Sequence, residues 1–283
     1  MNSIDYLIIG HITQDLTPAG PCLGGTPSYA AQTARAFCLR VGIVTSARQG
    51  EPLLHAPELQ DVAVVCVPAA ETTTFTNVYQ DGGRRQILSG RAASLDTDDV
   101  PDAWRDTPVV HLGPMAVELL PALASHFPGA FLGITPQGWL RCWDAQGVVS
   151  RAAWPDAETV LPHATAVVIS PEDVQFDQAQ IGHYARLSRL LAVTQAGEGA
   201  DIHAGGQVHH VPTRAIDERD PTGAGDIFAA VFFVWLAQHP GDPIGAARLA
   251  NYIATTSVTR SGLASAPTSD EVEAAKAALG LGG

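Results

Sequence analysis

Short apolar runs that stop at glycine or proline recur along the chain. Tyr6-Leu-Ile-Ile-Gly10 is the first, and it reads as a buried strand. Val41–Thr45, Val62–Val67, Val109–Leu112, Ala130–Ile134, Ala166–Ile169 and Leu190–Thr194 have the same form, and Gln207–Pro212 reads as an edge strand near the end of the sheet. Between these runs lie stretches of helical composition: alanine-rich Ser28–Leu39, then Ala116–Ser125, Ala179–Leu187, Ile227–Gln238 and Pro243–Thr259. Residues 11–25, with Pro18, Gly20, Pro21, Gly24 and Gly25, read as loop or weakly extended chain. Strand and helix alternate over most of the length, which predicts a parallel sheet covered by helices. With no repeat, low-complexity tract or linker, residues 1–283 are expected to form one main domain.

One segment breaks the alternation. Thr72–Tyr79 is rich in β-branched and aromatic residues, Asp81-Gly82-Gly83 is a turn signal, and Arg84–Leu88 returns. Glycine supplies the positive φ that a tight hairpin turn needs. The apolar positions of this hairpin are few, so it is expected to lie outside the main core.

Hydrophobic residues make up 46% of the chain and charged residues only 16%, enough for a sizeable core. The net charge of -13 argues against a non-specific nucleic-acid binder, which needs a basic face. It leaves room for an anionic small ligand, since a few backbone amides bind phosphate locally. Cys22, Cys38, Cys66 and Cys142 have neither CxxC spacing nor a histidine cluster and read as free thiols, mostly buried, in a reducing compartment. MNSIDYLIIGHITQD lacks the basic and apolar regions of a signal peptide, and the apolar run Ile227–Ala237 is too short to span a bilayer. A cytoplasmic protein with no membrane partner is therefore expected. The GxGxxG spacing is missing after Gly10, no lysine follows Gly225, and no HExxH occurs, which disfavours a dinucleotide fold, a Walker A loop and a zincin site. His209-His210 reads as a surface pair, and Trp139, Trp143, Trp154 and Trp235 as packing residues.

The strongest local signal is Arg219-Asp-Pro-Thr-Gly-Ala-Gly-Asp-Ile-Phe-Ala-Ala230. Glycine is costly at the start of a buried helix, so the arrangement needs a compensating use. Small residues let an anion approach the backbone, and a helix beginning here would present free N–H groups and its positive end. A carboxylate beside a bound phosphate does nothing for binding. As a general base, Asp226 would take the proton of an attacking hydroxyl, which points to phosphoryl transfer to an alcohol.

Asp220, Thr222, Gly223, Ala224, Gly225 and Asp226 resemble, position by position, the D-x-T-G-A-G-D signature of the ribokinase-like, or PfkB, carbohydrate kinases. The resemblance extends over nearly the whole chain. Gly24-Gly25 before an alanine-rich helix is similar to the family's substrate-side double glycine. Asp15 falls where the family places an acid that bonds substrate hydroxyls. Thr194–Ala200 resembles the nucleotide-side T-x-G-x-x-G loop, with Gly197 and Gly199, and Asn251 matches an asparagine near the adenine.

The resemblance implies a three-layer α/β/α ribokinase-like fold with a mainly parallel central sheet and a small β-strand lid from residues 12–20 and 72–90. It implies Asp226 as base, with the amides of Gly223, Ala224 and Gly225 on the transferring phosphoryl group. Asp15, Gly24, Gly25, Arg85, Gln137 and Arg141 would face the acceptor, and Thr194, Gly197, Gly199, Thr222 and Asn251 the ATP. Mg²⁺ would accompany the nucleotide; the resemblance also leaves room for a monovalent cation and for a homodimer formed through the lid.

The sequence departs from the family pattern in three places. The N-x-x-E motif appears as Ser170-Pro171-Glu172-Asp173, with Asp173 as the candidate metal ligand. Tyr29 stands where an asparagine often follows the double glycine. D-P-N-x-R is replaced by Thr135-Pro-Gln-Gly-Trp-Leu-Arg141. Residues 82–95 and 136–141 resemble members that phosphorylate inositol or similar polyols, with Arg84, Arg85 and Arg141 able to reach a phosphate or a hydroxyl-rich ring. A sugar or polyol acceptor is expected. A nucleoside acceptor, or a catalytically weak sensor of sugar or nucleotide, is the alternative.

Overall fold

The computed structural model describes residues 2–18, 20–80 and 83–281. The chain opens with β1 (Tyr6–Ile9), β2 (Thr13–Thr17), β3 (Gly20–Gly24), α1 (Thr26–Ala36), β4 (Val41–Arg48), β5 (Ala63–Ala69), β6 (Thr74–Gln80) and β7 (Gly83–Gly90). It continues through β8 (Val109–Leu112), β9 (Phe131–Ile134), β10 (Arg141–Trp143), β11 (Val149–Arg151), α2 (Ala157–Val160), β12 (Ala166–Ile169), α3 (Gln178–Leu187) and β13 (Leu190–Thr194). β14 (Ala200–Ala204), β15 (Gln207–Val211), α4 (Ala224–Gln238), α5 (Pro243–Ser257) and α6 (Ser269–Leu279) complete it.

Nine strands of the described residues pair in the order β15-β14-β13-β12-β9-β8-β1-β4-β5. All neighbours from β13 to β5 are parallel, and β14 and β15 are added antiparallel at one edge. The pleat of β1 shows why both faces need cover. Tyr6 and Ile8 enter one core with α1, α4, α5 and α6, while Leu7 and Ile9 enter the other with Trp104, Leu119, Trp154 and Tyr184. Helix α4 is apolar all round, and every residue from Ile227 to Leu236 is buried, as a helix sandwiched between sheet and helices must be. The fold is α/β, with the mainly parallel sheet the alternation predicts.

A second sheet, in the order β3-β2-β6-β7, combines the expected hairpin with the two strands before α1. Residues 11–25, read from their pattern as loop or weakly extended chain, hold two regular strands, β2 and β3. Gln14, Asp15 and Leu16 pair with Thr74, Phe75 and Thr76, so the proline- and glycine-containing segment acquires its ladder from a distant hairpin rather than from its own pattern. Phe75 and Leu88 pack on Met115 and Ala116, which follow β8. The small sheet thus stands over the C-terminal edge of the large one. Asp81 and Gly82 of the expected turn, and the side chain of Arg84, lie outside what is described.

Other expectations are corrected. Ala116–Ser125 is not an α-helix: Val117 has a left-handed φ of 57°, Leu119 bridges Leu95, and only Pro121–Ser125 winds as a short 3-10 turn. The Glu118 carboxylate takes the amides of Met115 and Ala116, which breaks the helical ladder. Strand β14 and helix α6 are additions to the elements expected from the sequence pattern. The cysteines are not mostly buried: Cys22, Cys38 and Cys142 are exposed and Cys66 is intermediate, because three of them sit on the small sheet, at the end of α1 and on β10 rather than under a helix layer. Among the described residues no helix is long and apolar enough to cross a membrane.

Candidate active site

The parallel strands β1, β8, β9, β12 and β13 all end at one edge of the large sheet, the edge where open α/β sheets bind ligands, and the loops after β1 and β8 meet the small sheet there. The loop before α4 lies with them. Asp220 holds that loop by accepting from the Thr222 amide at 3.0 Å and from the Gly262 amide at 3.4 Å. Burial works to raise its pKa, but the bonds from Thr222, Gly262 and Ser261 prevail and keep it below the ordinary carboxylate value. Gly223 caps α4 with a left-handed φ of 82°, and a Cβ there would lie 2.3 Å from the Tyr29 ring. Only glycine satisfies both demands.

The Ala224 amide donates to the Pro221 carbonyl at 3.1 Å, so it is spent on the turn. The amides of Gly223, Gly225 and Asp226 have no hydrogen-bond partner among the described residues. Gly225 is exposed, and a Cβ on it would meet nothing within 4 Å. The helix start is therefore open to an anion from the Gly225 side. Asp226, in the first turn, accepts from the Thr26 hydroxyl at Oδ1 at 2.7 Å, and its Oδ2 has no partner among the described residues. Burial pushes the Asp226 pKa up to about 6; the Thr26 bond and the Arg141 charge resist the rise, and Asp173 and Asp15 add to it.

Facing this loop is the inner end of the small sheet. The Thr13 hydroxyl donates to Asp15 Oδ1 at 2.9 Å. A Cβ on Gly24 would lie 2.3 Å from Asp15 Oδ2, so the missing side chain is what lets that carboxylate fold inward. Gly25, at φ 85°, caps α1. Tyr29, buried one turn on, has its pKa raised above the ordinary phenol value by burial and by the charges of Asp226, Asp15 and Asp220. Arg141 is buried, donates to the Met115 carbonyl at 3.1 Å and lies 5.7 Å from the centre of the Phe75 ring. Arg85 is exposed on β7. Asp15, Gly24, Gly25, Arg141, Gly223, Gly225 and Asp226 thus converge.

Two expected ligands have side-chain bonds within the fold. Asn251 is 5% exposed and donates from Nδ2 to the Val211 carbonyl at 2.8 Å, tying α5 to the sheet edge; its amide serves the fold. Asp173 accepts the Ser170 amide at 2.9 Å in a capping box, receives Gln137 Nε2 at 3.4 Å and pairs with Arg151 at 3.5 Å. With both oxygens engaged, it closes a turn instead of offering a metal an open carboxylate. Gln137 is drawn to it. Among the described residues no group of three or more His, Cys, Asp or Glu is placed to hold a metal. Thr194 donates to the Ile169 carbonyl at 3.3 Å. Gly199 is buried at φ 110° against the Val211 carbonyl, and Gly197 faces open space.

The model of the pfkB family carbohydrate kinases matches residues 144–270, the stretch that contains the loop and the Asp226 carboxylate just described. The chain carries a PfkB-family carbohydrate kinase domain. Over 278 residues the chain is 29% identical to a fructokinase of Klebsiella pneumoniae, covering 86% of this chain and 87% of that one. A cytidine kinase of Thermococcus kodakarensis is 24% identical over 249 residues, covering 81% and 87%. A pyrophosphate-dependent kinase in the ribokinase family, solved with a pyrophosphate analog and myo-inositol, superposes with a TM-score of 0.76 at 18% identity, covering 89% and 94%. The fold of this PfkB-family domain is thereby ribokinase-like.

Sequence reasoning missed Thr26, Met115 and Glu118 in the candidate site. Glu118 is fully buried and takes the amides of His11, Met115 and Ala116, which fixes the loop after β8. Thr26 directly follows the double glycine, and that adjacency is the signal the sequence offers.

Proposed function

We propose that this chain is an ATP-dependent small-molecule kinase that transfers the γ-phosphoryl group to a hydroxyl of a sugar or polyol. An inositol-like acceptor is favoured. The observation that carries the reading is that Asp226 Oδ2 and the amides of Gly223 and Gly225, at one helix start, have no partner among the described residues. In the proposed step the acceptor oxygen attacks the γ-phosphorus in line and its proton passes to Asp226, while the bond to the β-phosphate oxygen breaks and ADP leaves. A carboxyl titrating at about 6 is ionised at neutral pH yet still basic enough to accept that proton. The amides of Gly223 and Gly225 would hold the equatorial phosphoryl oxygens, with Ala224 serving the turn. Asp15, held by Thr13, would orient acceptor hydroxyls. Thr194, Gly197, Gly199 and Thr222 would line the nucleotide side, and the small sheet would act as the lid.

Mg²⁺ entering with the nucleotide would screen charge between the β- and γ-phosphates. The Asp173 bonding does not fit a direct ligand, so the chain's own share of charge stabilisation falls to the helix start and Arg141.

The test is ADP release from ATP·Mg²⁺ over inositols, pentoses, hexoses and nucleosides, with orthophosphate release measured when pyrophosphate is the donor and Asp226→Asn as control. Turnover with a sugar or polyol that the control abolishes is expected. Turnover confined to nucleosides would move the assignment to the second reading, which the cytidine kinase likeness favours. Undiminished turnover in the control would refute the base.

A further inference from the structure

The Asp226 carboxylate is not symmetric in its surroundings. Oδ1 lies 2.7 Å from the Thr26 hydroxyl, and Oδ2 has no partner among the described residues. Thr26 is itself pinned. It is 2% exposed, it is the first residue of α1, and its amide and hydroxyl oxygen each lie 3.3 Å from the Met115 sulfur. A threonine hydroxyl has one proton; an ionised carboxylate can only accept, and the thioether sulfur is the weaker and more distant acceptor. That proton therefore goes to Oδ1. Met115 is held in turn by its amide on the Glu118 carboxylate and its carbonyl under Arg141.

We propose that Thr26 is a positioning residue for phosphoryl transfer: its hydroxyl fixes the carboxylate plane of Asp226 and occupies Oδ1, so that Oδ2 alone receives the acceptor's proton. This rests on Asp226 being the base. A freely rotating carboxylate would present either oxygen in many orientations, and part of the benefit of holding reactants in line would be lost. The hydroxyl also stabilises the ionised carboxylate in a site where burial opposes it. The other charged or titratable groups facing Asp226 are Arg141 on β10, Asp173 after β12, Asp15 on β2, Tyr29 on α1 and Tyr6 on β1. Replacing Thr26 leaves all of them in place.

The experiment is a ¹³C-carboxyl titration of the ligand-free protein, with the Asp226 signal assigned by its loss in Asp226→Asn. Wild type is expected to titrate at about 6. Thr26→Val, close in shape but without the hydroxyl, is expected to shift the midpoint upward by about one pH unit. Thr26→Ala should shift it the same way if the valine variant does not fold, and Thr26→Ser should restore it. With an accepted substrate, kcat/KM of Thr26→Val should fall about tenfold or more at pH 6 and less at pH 8, because a raised midpoint leaves fewer carboxylates ionised at the lower pH. An unchanged midpoint in both hydroxyl-free variants would overturn the proposal while leaving the base assignment intact. Normal turnover by Asp226→Asn would instead remove the base, and the role of Thr26 with it.

Discussion

Asp226 and Asp173 sit at comparable places and do opposite things. Each follows a loop at the ligand edge, and each lies three residues into its motif, Gly223 to Asp226 in one and Ser170 to Asp173 in the other. In the second motif the carboxylate folds back on the amide that begins its own turn, pairs with Arg151 and accepts from Gln137. In the first, Gly223 begins the helix without a side-chain cap, the Gly223, Gly225 and Asp226 amides have no partner among the described residues, and the carboxylate turns to Thr26. A serine caps and consumes its acid partner, while a glycine leaves donors and acceptor open. Availability for chemistry is thus set by the residue at the start of the turn as much as by the acid.

The largest effect expected from breaking the contrast is at Asp226. Asp226→Asn should lower kcat by about 10²–10⁴-fold, since a proton acceptor disappears with almost no change in volume. ATP binding, read by calorimetry, should change little. Gly225→Val comes next: its side chain would enter the open space over the free amides and should lower kcat/KM by about 10²-fold, in line with loss of an oxyanion donor. Wild-type kinetics for that variant would show that no phosphate uses this helix start. The pH profile is a third probe. Wild-type kcat/KM should fall about tenfold per unit below about pH 6 as Asp226 protonates, and a limb that tracks a midpoint near about 4 would mean that burial does not govern this carboxyl.

The open carboxylate should also cost stability. The folded pKa of Asp226 lies above its unfolded value, so its contribution is most favourable at low pH and is lost as pH rises through about 6. Asp226→Asn is then expected to be more stable than wild type by about 1–3 kcal/mol at pH 7.5, with the gap closing below about pH 4. Urea unfolding at the two pH values measures it. An asparagine variant less stable at pH 7.5 would show that the Thr26 bond outweighs burial.

Much of this contrast is legible in the order of the residues alone. The loop before α4 is local, with small residues, an acid and an apolar helix in one unbroken run, so spacing places Asp226 and Gly225. The long strands are legible for the same reason. What is not legible comes from distant pairing. β2 and β3 exist because a hairpin about sixty residues later supplies the ladder. The broken helix at 116–125 depends on Glu118 reaching the His11 amide. Asn251 and Asp173 carry the right residue types, yet their partners, Val211 and Arg151, lie elsewhere in the chain. Helix α6 is different, because its signal is local: Thr268 and Glu271 spell its capping box in sequence.

The smallest effect expected is the one that tests the other half of the comparison. Asp173→Asn keeps an acceptor for the Ser170 amide but loses the charge opposite Arg151. If Asp173 closes a turn, kcat should stay within about tenfold of wild type, the Mg²⁺ dependence of the rate should be unchanged, and stability should fall by about 1–2 kcal/mol for a weakened cap and a mostly buried ion pair. The Mg²⁺ titration is the decisive readout, because a merely structural carboxylate cannot move it. A large rise in the Mg²⁺ concentration needed for half-maximal rate would mean that the capping box opens when nucleotide binds, and that the acid spent here is released to the metal in the loaded enzyme.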